Sequence, residues 1–173
     1  MKTIVLGATL AAIVGAMSLS AQAADGTITI TGVVTESTCA ISPVTGGGDV
    51  NVDVGGHGVG SLKAPNSYTA EKALTFKIVG GGTCEIGAAS ISFGGVNVDA
   101  TTGNLKNTIA TGGSNVQAQL LNDEYEPIDL RSKVPVNIQT GDTDLKWHAR
   151  LFAKEAATAG DFQSSVLVHI EQE

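Results

Sequence analysis

The chain has 173 residues, two cysteines, 22 glycines, a formal net charge of −7 and only 4 % aromatic residues. An acidic balance excludes the broad basic face that a nucleic-acid partner requires, so no nucleic acid is expected. The length suits one domain behind a leader rather than two full domains.

Residues 1–23 read as a secretory signal peptide. Lys2 gives the positive start, Ile4 to Met17 an apolar run, and Ala21-Gln22-Ala23 a small-residue cleavage site, leaving Ala24 first in the mature protein. The run is shorter than the roughly 20 residues that span a bilayer. Cleavage leaves 150 residues with a charge of −8, because Lys2 departs with the leader. In an exported protein two cysteines, Cys39 and Cys84, favour a structural disulfide. A metal site is the alternative, but neither CxxC nor HxxxH spacing accompanies them, so no metal and no cofactor is expected.

Short β-branched runs separated by Gly, Asn and Asp clusters predict an all-β sandwich. Strands are expected near Thr27–Val34, Asp49–Val54, Leu74–Val79, Ala89–Val96, Asn115–Leu121, Val134–Ile138, Lys146–Lys154 and Ser164–Glu171. Gly46–Gly48, Gly80–Gly82 and Gly112-Gly113 read as turns or loops. Ser67–Ala73 is the one candidate for a short helical turn. In the last segment Phe162, Ser164, Val166, Val168, Ile170 and Gln172 share one face, and Asp161, Gln163, Ser165, His169 and Glu171 the other. This strand runs to the end of the chain, so its free edge is expected to be covered by a neighbour.

No group offers chemistry. His57, His148 and His169 are scattered without ligand spacing, and surface exposure is expected for His169. Asp123, Glu124, Asp142 and Asp144 lack EF-hand spacing and read as solvated turn carboxylates. No G-x-S-x-G elbow is present, and Trp147 reads as a core aromatic. Catalytic residues: none are expected, and the chain is not an enzyme on this reading.

Gly26, Ile28, Ile30 and Gly32 stand thirteen, eleven, nine and seven residues before Cys39, and Gly32-Val33-Val34 leads through Ser37-Thr38 to that cysteine. Gln119-Leu120-Leu121-Asn122-Asp123 precedes Pro127-Ile128-Asp129-Leu130, and Gly160 is fourteenth from the end. In these features the chain resembles the type 1-like pilins, major and minor subunits of chaperone–usher fimbriae. The likeness spans the chain from Ala24. Pilins commonly carry an aromatic in the penultimate place, where this chain has Gln172.

The resemblance implies an incomplete immunoglobulin-like β-sandwich that lacks its last strand and is completed by donor-strand exchange. It implies a Cys39–Cys84 disulfide, a donor extension at 24–34 carrying Ala24, Gly26, Ile28, Ile30 and Gly32, and a pilin domain at 35–173. The acceptor groove would be built from Gly160, Phe162, Val166, Val168, Ile170 and Gln172. Implied partners are neighbouring pilin subunits, a periplasmic chaperone, an outer-membrane usher and a host-surface receptor met through the fibre. The implied role is structural, in a fimbria used for cell adhesion, with export through the periplasm to the cell surface. Two alternatives stay open on the sequence: a secreted, lectin-like carbohydrate-binding sandwich, and a minor adaptor or tip pilin.

Overall fold

The structure, a computed structural model, describes residues 25–32, 39–43, 49–79, 84 and 86–172. The expected leader at 1–23, Ala24, the residues 33–38 before Cys39 and the glycines 46–48 and 80–82 lie outside them.

Among the described residues there are eleven strands, the longer ones built on alternating apolar and polar residues: β1 (Asp25–Gly32), β2 (Ala40–Pro43), β3 (Val50–Gly56), β4 (Ser67–Tyr68), β5 (Lys72–Val79), β6 (Gly87–Gly94), β7 (Leu105–Lys106), β8 (Gln117–Leu121), β9 (Val134–Ile138), β10 (Thr143–Ala153) and β11 (Phe162–Gln172). They form two sheets. One runs β3-β1-β11-β6-β9, and the other β2-β5-β10-β8-β7 with β4 added against β10.

The core lies where the apolar faces meet. Val50, Val52 and Val54 of β3, Ile91 of β6 and Val166 and Val168 of β11 pack in one cluster with Leu74 and Phe76 of β5, Leu120 of β8, and Trp147 and Leu151 of β10. Trp147 is buried, as expected, with the Phe76 ring edge-on at 5.0 Å. A smaller cluster of Cys39, Ile78, Cys84, Ala89, Ile138 and Ile170 surrounds the disulfide. The Cys39–Cys84 bridge joins Cα atoms 4.6 Å apart across 45 residues of sequence. A loop of that span stabilises the fold by roughly 4 kcal/mol in the chain-entropy account.

The expected helical turn at Ser67–Ala73 does not form. Ser67–Tyr68 is β4, pairing with Phe152 and Ala153, and the short 3-10 turn lies earlier, at Val59–Leu62. Tertiary bonding decides this. Asn66, in the left-handed region at φ 64°, donates its backbone N–H to Ala153 at 2.7 Å, and Thr69 donates to Leu151 at 3.0 Å. Those bonds draw the segment onto β10 and override a local helical preference.

After β8 the chain turns, and Pro127–Leu130, which resembles the short strand of the family's central segment, makes a single bridge and no strand of its own. Asn122 closes the turn by accepting N–H bonds from Glu124 and Glu126 at its side-chain oxygen, and Leu121 bridges to Pro127 beyond it.

Candidate assembly site: the slot between β3 and β11

β11 is extended because its residues alternate, and burial follows that pattern. Phe162, Ser164, Val166, Val168 and Ile170 are buried, whereas Gln163 and Glu171 are exposed and Ser165, Leu167 and His169 half-buried. Gln172 is half-buried and lies opposite Ala89 of β6. His169 is therefore less exposed than its sequence position suggests: a Cβ on Gly94 of β6 would stand 3.0 Å from its Nε2.

The two edges of β11 are held differently. On one side β6 pairs antiparallel with Leu167–Gln172. Ahead of that ladder, loop side chains take over the same role. Asn107 accepts the Gln163 N–H at 3.0 Å and donates to the Asp161 carbonyl at 2.7 Å. Thr108 donates twice to the Gln163 carbonyl, and Asn97 donates to that of Ser165 at 2.9 Å. These Asn and Thr residues escaped the sequence reading, because in a glycine-rich loop they look like ordinary turn residues.

The other edge of β11 faces β1. Residues 26–32 run parallel to 162–168, with Gly26 beside Phe162, Ile28 beside Ser164, Ile30 beside Val166 and Gly32 beside Val168. On its far side β1 pairs antiparallel with β3, Ile28 meeting Val52 and Ile30 meeting Val50, with a bulge between Gly26 and Thr27. The proposed donor and acceptor residues Gly26, Ile28, Ile30, Gly32, Phe162, Val166 and Val168 are thus brought to one place, within one chain. Ile170 lies beyond the paired stretch and joins the disulfide cluster.

Two features mark this slot. Ser164 is 1 % exposed, and among the described residues its Oγ has no hydrogen-bond partner. Gly160 opens β11 at φ 150°, where a Cβ would come within 2.4 Å of the Gly112 carbonyl oxygen. Only glycine permits that close approach, which lets Asp161 donate to Gly112 and accept from Ser114.

The charged groups form exposed pairs on the surface. Glu171 pairs with Lys133 and accepts the Ser92 hydroxyl at 2.7 Å, and these bonds, Lys133 first, lower its carboxyl below the usual range. The Arg131 guanidinium grips both oxygens of Asp129, at 2.8 and 2.6 Å, and holds that carboxyl down to about 2. His57 bonds the Val54 carbonyl, and His148 stacks on the exposed Tyr125 ring at 4.3 Å. Among the described residues no three of His, Cys, Asp or Glu converge in a metal-binding group, and no helix is long and apolar enough to cross a membrane. The arrangement offers strand pairing and apolar burial.

No protein-family profile matches the chain. Two curated relatives do. The major fimbrial subunit SMF-1 of Stenotrophomonas maltophilia is 33 % identical over 163 residues, covering 87 % of this chain and 94 % of the relative. The F17 fimbrial protein of Escherichia coli is 34 % identical over 166 residues, covering 89 % and 91 %. Among solved structures, a Burkholderia pseudomallei antigen and type I fimbria protein is 26 % identical with a TM-score of 0.51, over 84 % of this chain and 93 % of that one. The P pilus rod subunit PapA shares the fold at 17 % identity with a TM-score of 0.61, over 79 % of this chain and all of that one. Through its alternating strands, its two-sheet core and these relatives, the chain belongs to the fimbrial subunits of chaperone–usher pili, structural proteins of immunoglobulin-like fold that are exported to the cell surface and pair with neighbouring subunits there.

Proposed function

We propose that this subunit polymerises by strand donation, with residues 24–34 of one subunit filling the slot between β3 and β11 of the next. On this reading 1–23 is a cleaved leader, 24–34 the donor extension and 35–173 the acceptor sandwich. The observation that carries it is the slot itself. A segment from the far end of the chain lies in register against β11, between two strands that bond it on both edges. Removing β1 would bare the β11 edge and the apolar row Phe162, Val166 and Val168, an aggregation hazard. A periplasmic chaperone that lends a strand would cover that row until an outer-membrane usher brings the next subunit.

Backbone pairing along β1 is the strand-addition mode of recognition. Taking Ile28 and Ile30 from water would contribute about 1.5–3 kcal/mol each before ordering costs. Gly26 and Gly32, at the ends of the paired stretch, would allow close backbone approach. The contact is head to tail and does not close, so it propagates as a fibre. The chain would act as a structural protein without catalysis, meeting surfaces through the assembled fibre.

The test is to express the full chain and a form lacking 24–34 for export, each with and without a matched chaperone, and to size the products. Detergent-resistant ladders from the full chain, with the shortened form recovered only as a chaperone complex, support donation. A shortened form that runs as a stable monomer by itself overturns it.

A further inference from the structure

Several of the polar side chains that this fold buries are bonded in place. Asn104 donates to Gln117 at 3.3 Å, Ser114 donates to the Thr158 carbonyl at 2.7 Å, and Thr69 accepts the Leu151 N–H at 3.1 Å. Among the described residues one fully buried side-chain polar atom lacks any hydrogen-bond partner, Ser164 Oγ. It belongs to the buried face of β11, between Phe162 and Val166.

The surroundings leave that hydroxyl to whatever fills the slot. On the far edge of β11 the β6 ladder begins only at Leu167. Ahead of it Asn107 and Thr108 bond the backbone of Asp161 and Gln163, and Asn97 bonds that of Ser165. None of these groups bonds the Ser164 hydroxyl. On the near edge the register sets Ile28 beside it, and isoleucine has no side-chain donor or acceptor. A buried hydroxyl left without a partner forfeits roughly tenfold in an equilibrium, so this serine weakens the joint with the present strand. A Ser or Thr beside a cross-strand Ser is, by contrast, a pairing that stabilises sheets.

We infer that Ser164 is a specificity-determining residue of the slot. It ranks incoming strands by the side chain set beside it, and favours an extension with Ser, Thr or Asn there over this chain's own, which has Ile28. The partner it fits is a neighbouring subunit whose extension differs from this one at that place. The inference rests on the strand-donation reading above and adds to it a rule of choice between donors. Specificity is a difference of affinities, and here a cost laid on the like pair joins a bond offered to the unlike one. Phe162, Val166 and Val168 ask for apolar bulk, whereas the hydroxyl asks for a hydrogen bond.

The experiment uses the full exported chain, co-expressed with a matched chaperone, and reads the rate at which detergent-resistant ladders fall to monomer in denaturant. Ile28→Thr is compared with the isosteric Ile28→Val, each with Ser164 retained and with Ser164→Ala, as a double-mutant cycle. With Ser164 retained, the threonine form is expected to dissociate about three- to tenfold more slowly than the valine form. With Ser164→Ala that advantage is lost or reversed. Ile30→Thr against Ile30→Val is the control, because position 30 lies beside Val166 and its ratio should not depend on Ser164. Ile28→Ser against Ile28→Ala repeats the comparison where a variant fails to assemble. The same threonine-to-valine ratio in both backgrounds overturns the selective role of Ser164, and leaves strand donation standing if Ile28→Val itself quickens dissociation. A Ser164 dependence at position 30 instead of 28 overturns Ile28 as the place it reads. Ladders whose rate is untouched by both Ile28→Val and Ile30→Val overturn strand donation as well.

Discussion

β10 and β11 are both eleven residues long, and both alternate buried and wetter positions, yet they are built into the molecule differently. β10 is flanked by β5 and β8, with β4 added at its end, all from the body of the chain. Its wet side is tied down as well. Arg150 donates two bonds to Gln119 at 2.9 and 2.7 Å, pairs with Glu71 at 3.2 Å, and stacks under Tyr68. β11 has β6 and the clamp of Asn97, Asn107 and Thr108 on one edge, but its other edge is covered by a strand some 136 positions away, Ile30 against Val166. Equal patterning therefore says nothing about who supplies the neighbour. β10 is an interior strand by construction, whereas β11 is interior only while its slot is filled.

That contrast can be broken in three places. The largest effect is expected at Trp147→Ala, which empties the middle of β10 and should cost about 3–5 kcal/mol. If strand donation holds and β10 is interior whatever fills the slot, chemical denaturation should show the same loss before and after assembly. A loss confined to the assembled form would show that β10 senses the slot.

A smaller effect, on the order of 1–3 kcal/mol, is expected at Gly160→Ala, from left-handed backbone strain and the close Gly112 carbonyl. Hydrogen exchange should quicken first at Asp161–Ser165 and leave β10 untouched; uniform quickening would mean that the two strands are one cooperative unit. The smallest is Ser164→Ala. It removes a buried hydroxyl that has no partner among the described residues and should stabilise the filled slot by roughly 1 kcal/mol. An unchanged or lowered denaturation midpoint would mean that the hydroxyl is satisfied in solution.

Much of this architecture was legible in the residues. β9 has the expected bounds, and β11, β5 and β8 fall within a few residues of theirs, because their alternation is long enough to register. The alternation of β11 also located its buried face from Phe162 to Ile170, although Gln172, expected on the same face, is half-buried. β2, β4 and β7 were missed, since strands of four, two and two residues carry no readable period. β4 exists because Asn66 and Thr69 bond to β10, a tertiary fact with no local signature. Gly160 was visible as a position, but its reason, the backbone of Gly112–Ser114 lying against it, needed the folded loop. The covering of β11 by β1 was out of reach for the same cause: alternation shows that a strand needs a neighbour and not which chain it comes from.

The disulfide has a mechanical side. Cys39 stands just ahead of β2, and its bridge to Cys84 ties that point to the segment following β5. In a fibre joined through residues 24–34, tension drawn along one subunit's extension would reach a covalent link before it reached the four-residue ladder of β2 on β5. The load would pass at Cys39 into the body of the sandwich, and the edge strand β2 would be spared from peeling.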